Sequence, residues 1–226
     1  MGTSKGYQPP TTPEWSRAKG SLTRYLNSNG DSGNRRKAVL DYAAAHMQTS
    51  SFQGMASAGA KIAQLYHLIA SIGAEKAFEE LGLDHLIGKS SDEVFNGIID
   101  YFSDGSGEIE DGIVKSTISQ LLIDLKIDDL KDLQNYSFDY FFMKFVITYI
   151  EVDFKTMYYE KIMSDRTPDQ AKALIDNINS FIAYSISDQY ETKELANINW
   201  RSVEGQAIIE SKCKECYELL MATEEE

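Results

Sequence analysis

Apolar residues along this chain recur at helical spacing, and strand-like alternation is scarce. Thr12, Pro13 and Glu14 read as an N-cap, a first-turn proline and an acid at the positive end of a helix dipole. Trp15, Ala18, Leu22, Tyr25 and Leu26 then repeat every three or four positions, which predicts a helix starting near Pro13. "NSNGDSGN" interrupts the pattern with loop chemistry, and an alanine-rich helix resumes from about Asn34 to Gln48. "GMASAGAKIAQLYHLIASIG" is apolar or small nearly all round, with Lys61 its one default charge, so it has no polar face to turn to water and belongs at the centre of a core. Its small residues from Gly54 to Ala60 would admit a close neighbouring backbone.

Shorter helices are expected near 74–81 and 91–102. "SDGSGE" makes a turn, and "IEDGIVKSTISQLLIDL" returns to helical period. Over 137–164, Phe138, Phe141, Phe142, Phe145, Tyr149 and Val152 form one stripe, the spacing of an aromatic core. Thr167 and Gln170 make a capping box for a helix to about Gln189. After the polar link "YETKELANI", Asn199 and Trp200 lead into a last helix. There is no internal repeat and no domain-sized break. The reading is all-α: a single multi-helix globular domain of seven to nine helices over 13–226, preceded by a flexible extended N-terminal tail over 1–12.

Charge limits the function classes. The net charge of −13 argues against direct nucleic-acid binding by counterion release. Residues 1–37 nevertheless carry seven basic groups against Glu14 and Asp31, so +5 sits on the head and −18 on the remainder. Such a head is either a docking surface or a solvated helix face. No apolar run is long enough to span a membrane and no secretory signal opens the chain, so a cytoplasmic protein is expected.

Catalytic motifs are hard to find. "CKEC" offers two thiols where a structural zinc site needs four ligands, and Ile209, Cys213, Cys216 and Leu220 share one helical stripe, so buried free thiols are the favoured reading. His46, His67 and His85 stand apart in sequence without a carboxylate at i+4, as surface or core histidines would. Neither a Walker loop nor G-x-G-x-x-G occurs, "GSLTRY" has no paired Asp-x-Asp after it, and "SDGSGEIED" lacks the glycine that a calcium loop requires. The expectation is no enzyme, no metal and no cofactor. N-myristoylation fits poorly, because Gly6 stands where the motif wants Ser or Thr. What stands out is a glycine-initiated tail whose Gly2 amine would be reachable once Met1 is removed.

That tail, "MGTSKGY" followed by prolines and then by Pro13 and Trp15, resembles the N-terminus of the QatB family, the B component of the four-gene bacterial Qat anti-phage system. Further echoes are the small-residue helix from Met55 to Ala63, Asp111-Gly112 in a helical stretch, and "NWRSVEGQAIIE". Gln8-Pro9-Pro10 departs from the family's glycine-proline tail. The resemblance implies a non-enzymatic defence component with three partners: a QueC-like enzyme, an ATPase and a TatD-like nuclease. It further implies that the QueC-like enzyme attaches a deazaguanine base to Gly2, with Thr3, Ser4, Lys5 and Gly6 as its recognition tail. The alternative is a helical adaptor or immunity-type protein whose tail is unmodified. A third reading is an unrecognised enzyme using clustered acids around a metal.

Overall fold

Several helix starts have a local cause. The Thr12 hydroxyl accepts from the Trp15 amide (3.5 Å) ahead of Pro13, and α1 runs Pro13–Asn27. In the next loop Asp31 accepts from the Asn34 amide (2.8 Å), so α2 (Ser32–Thr49) begins two residues earlier than its alanine content alone suggests. α3 (Gln53–Ile72) and α4 (Ala74–Leu81) are separated by Gly73 alone, whose φ of +83° ends one helix and starts the other without a loop. α5 (Ser91–Phe102) opens on a Ser90–Glu93 capping box. α6 (Ile109–Asp124) closes through left-handed Lys126 (φ 52°), with Lys126 N–H bonded to Ile123 O and Ile127 N–H to Leu122 O, a Schellman arrangement on a non-glycine residue. α7 spans Phe138–Met163, α8 spans Pro168–Ser187 behind the Thr167–Gln170 capping box, and α9 spans Val203–Ala222.

This computed structural model describes residues 10–28, 30–49, 52–103, 109–188, 190 and 202–222. Among them are nine α-helices and no strand, so the protein is all-α as its periodicity predicts. Two short 3-10 turns, Asp84–Leu86 and Leu130–Asn135, were not expected; the second is held by a local Asp129–Asp132 capping box. The link after Tyr190, Asn199 and Trp200, most of "SDGSGE" and most of the N-terminal tail lie outside the described residues.

The contacts form two compact units. One contains α1, α2, α7 from Ile150, α8 and α9 from Lys214; the other contains α3 to α6, α7 through Tyr149 and α9 through Cys213. The helical region expected over 13–226 spans both. In the first unit α1 and α2 pack as an antiparallel pair, and α8 lies against α2. Trp15, Leu22, Tyr25 and Tyr42 are all fully buried there.

In the second unit α3 touches α4, α5, α6 and the Leu130–Asn135 turn, the central position its composition foretells. Met55, Ala58, Ile62 and Ala63 are each at most 2% exposed. What comes closest to its small residues at Gly59 is a set of side chains, not a backbone: a Cβ there would lie 3.0 Å from Ile209, 3.1 Å from Phe142 and 3.4 Å from Phe145. Gly59 thus makes room for the aromatic stripe of α7, which is too bulky for a helix bearing larger residues to approach. Lys61, the one charge on α3, donates to the Tyr101 (3.1 Å) and Phe102 (3.4 Å) carbonyls and so caps the end of α5.

Two substitutions test this packing. Ala63→Leu should destabilise the protein by about 1–3 kcal/mol through overpacking. Gly112→Ala, inside α6 where an added Cβ meets nothing within 4 Å, should stabilise it by about 0.5–1 kcal/mol. Urea unfolding of both variants checks the pair, and equal midpoints would contradict the assigned environments.

Candidate functional site

Gly2, Thr3, Ser4, Lys5 and Gly6 lie outside the described residues. Description begins at Pro10, whose carbonyl accepts from Lys19 Nζ (3.4 Å), so the chain entering α1 is tied to the second turn of that helix. Glu14, in the first turn, has its carboxyl held below the usual range by backbone N–H bonding and by the Thr12 hydroxyl.

The basic head is largely spent on internal bonding. Asp41 of α2 is buried and accepts from Ser21 Oγ and from Lys37 Nζ (2.9 Å), while Arg24 Nη2 donates to the same Ser21 oxygen (2.7 Å). Arg35 donates to Asn177 Oδ1 of α8 and sits 5.0 Å above the Phe181 ring. Arg166 Nη2 reaches the Leu26 carbonyl (3.0 Å) and Lys161 Nζ the Lys19 carbonyl (3.3 Å), both on α1. Arg35 therefore joins α2 to α8, Arg24 and Lys37 flank the Ser21–Asp41 bond that joins α1 to α2, and Arg17 remains exposed.

Behind this layer lies a polar group that sequence spacing did not bring together. His46 of α2 is indeed a core histidine, but it has a carboxylate partner from a distant helix. Its Nε2 lies 2.9 Å from Asp153 Oδ2 of α7, off the axis of a proper hydrogen bond. The Tyr42 hydroxyl donates to that same Asp153 oxygen. Around them stand Trp15, edge-on to His46 at 4.9 Å, Phe154, edge-on to Tyr42 at 4.9 Å, and Tyr217, tilted against His46 at 5.2 Å. The missed signal is Asp153 itself, a charge on the buried stripe of α7 between Ile150 and Phe154. A charge placed there must be paired.

With Tyr42 at 0%, Asp153 at 4% and His46 at 7% exposure, these groups face the interior and join α2 to α7. That is the geometry of a brace, not of a solvent-open centre. Burial pushes the Tyr42 phenol well above its ordinary value, reinforced by the Asp153 charge and by Tyr217. His67, in the other unit, is shifted down by burial against the Phe138 ring. Cys213 and Cys216 are in no disulfide, and both are fully buried. Among the described residues no three His, Cys, Asp or Glu side chains gather as a metal site, and no helix is long and apolar enough to cross a membrane.

Fold and interior thus define an all-helical protein whose buried polar groups serve helix packing. A family model described as "Qat anti-phage system associated protein QatB" matches residues 44–220, and the chain belongs to this QatB family. Membership makes it a component of an anti-phage defence system. No curated protein and no solved structure matches it.

Two outcomes follow from the brace. Asp153→Ala should cost about 3–5 kcal/mol in urea unfolding because it leaves the buried Tyr42 hydroxyl and His46 without the carboxylate they face; a loss below about 1 kcal/mol would contradict the assignment. The raised Tyr42 value stabilises the fold fully below the unfolded value of 10.0, and that contribution is lost as pH rises above it through the folded value. The melting temperature should therefore drop on the alkaline side, and less steeply in Tyr42→Phe. An identical alkaline slope in both proteins would count against it.

Proposed function

We propose that this chain is a non-enzymatic, cytoplasmic component of the Qat system whose Gly2 amine accepts a deazaguanine-type group from a QueC-like partner. One observation carries the reading: a chain of the QatB family opens with "MGTSKGY", where a glycine follows the initiator methionine and small residues flank it. An amine that must enter another enzyme's site benefits from minimal side-chain bulk, and Pro9-Pro10 favours an extended spacer behind it. Thr3, Ser4, Lys5 and Gly6 would be what the partner reads. The chemistry belongs to that partner: it activates the carboxylate of the base with ATP as an acyl–phosphate anhydride, and the Gly2 amine attacks that carbonyl, losing a proton and expelling the phosphate-bearing group to form an amide. The ATPase and the TatD-like nuclease of the system are the further partners. An acidic chain with no nucleotide loop suits the role of protein substrate and scaffold.

The test combines intact mass with protection against phage in cells carrying the system. Gly2→Pro should abolish both the added mass and protection while leaving the helical circular dichroism signal unchanged, because a secondary amine on a fixed ring obstructs acylation. A short uncleaved tag ahead of Met1 should do the same by burying the amine in a peptide bond. Full protection by a tagged protein of unmodified mass would overturn the proposal and favour a helical adaptor with an unmodified tail.

A further inference from the structure

α5 presents apolar residues on two sides. Ile98 and Phe102 turn inward and are buried, whereas Phe95 and Ile99, four positions apart, stay half-exposed on another side. With Leu122 and Ile123 of α6 they floor an open groove of about 650 Å³. Ile123 is 69% exposed, more than any other large apolar side chain among the described residues. A smaller hollow of about 260 Å³ shares Ser91 and Phe95 with the groove and continues to Phe78 of α4 and Ile87. Apolar floor thus extends along α5, a helix of 12 residues and so about 18 Å.

The charge around this floor is one-sided. Residues 74–132 hold 15 acidic and 5 basic side chains, a balance of −10 within the chain's −13. Asp92 and Asp128 line the groove beside a single lysine, Lys126, while Glu75 and Asp129 flank the smaller hollow beside Lys89. Lys89 already faces Glu93 at 3.7 Å. An exposed isoleucine over an apolar channel with acidic edges is costly in water unless something covers it. The same acidity repels nucleic-acid phosphates and anionic lipid headgroups.

We propose that the α5–α6 groove is the docking site for a basic amphipathic helix of a partner protein. Its apolar side chains, at i, i+3 or i+4 and i+7, would settle on Phe95, Ile99 and Ile123, with lysines or arginines along its flanks facing Asp92 and Asp128. Long-range attraction to the acidic segment speeds encounter, and the apolar floor fixes the helix in place. This surface is independent of the Gly2 reading and stands whether or not the tail is modified.

The experiment titrates the full-length chain into a fluorescein-labelled amphipathic peptide of about 14 residues, built from Leu and Lys with leucines at helical spacing, and follows anisotropy. A Leu/Glu peptide of the same pattern is the counterpart. The wild-type chain should bind the Leu/Lys peptide with a Kd on the order of micromolar, and the Leu/Glu peptide at least about tenfold more weakly. Ile123→Asp should weaken Leu/Lys binding about tenfold or more. That substitution adds negative charge, so an association that is merely coulombic would tighten instead. Asp92→Lys combined with Asp128→Lys should weaken binding about three- to tenfold. Circular dichroism confirms that the variants fold, as surface positions allow. Binding by Ile123→Asp equal to or tighter than wild type would overturn the proposal, as would equal binding of the Leu/Glu peptide. Self-association of the wild-type chain that disappears in Ile123→Asp, without peptide binding, would assign the groove to a second copy and overturn it as well.

Discussion

One buried carboxylate constrains the α1–α2 unit. A carboxylate at Asp153 is tolerable in an apolar interior only if polar partners are brought to it, and the fold supplies His46 and Tyr42 from the same face of α2. Because α2 supplies both partners, its rotation and height against α7 are set together. Trp15 and Tyr217 then close over the imidazole, which fixes where α1 and the end of α9 pass. Apolar packing alone accepts several registers of one helix on another. A paired charge accepts one.

The other unit is organised by size. α3 brings small residues to where the ring-bearing stripe of α7 needs space, and at Gly59 an added Cβ would crowd Phe142 and Phe145. Lys61 shows the same economy of charge: it lies on the central helix with its ammonium on the terminal carbonyls of α5, where helix-end dipoles favour a cation. The mostly apolar interior of this unit leaves its acids on the outside, along α4 to Asp132, and that is the ground of the acidic surface around α5.

Most of the helices were legible because caps and periodicity agreed. Thr12–Pro13, the Thr167–Gln170 box and the stripe from Phe138 to Tyr149 each place their helix within a residue or two. Short-range chemistry of this kind is written locally in the chain. The 3-10 turns were less legible, since a three- or six-residue turn has no period to detect. The His46–Asp153 pair could not be read from spacing, because the partners are 107 positions apart and nothing local to His46 announces a carboxylate. The basic head was legible as charge but only partly as role: Arg24–Ser21 and Lys37–Asp41 are one-turn neighbours on their own helices, whereas Arg35 reaches Asn177 of α8, a partner that only the folded chain assembles. The family resemblance was drawn from the tail and from Met55–Ala63, Asp111-Gly112 and the stretch 199–210, and the family match over residues 44–220 takes in those later stretches but not the tail.

The dependence of the α1–α2 unit on its buried pair is most directly measured by a double-mutant cycle between His46 and Asp153, with His46→Phe, Asp153→Leu and the double substitution unfolded in urea. A working brace predicts a coupling of about 1.5–3 kcal/mol, the double variant losing far less stability than the two single variants combined. Losses that add to within about 0.5 kcal/mol would show that the two side chains act independently and that apolar packing alone sets the register of α2 on α7.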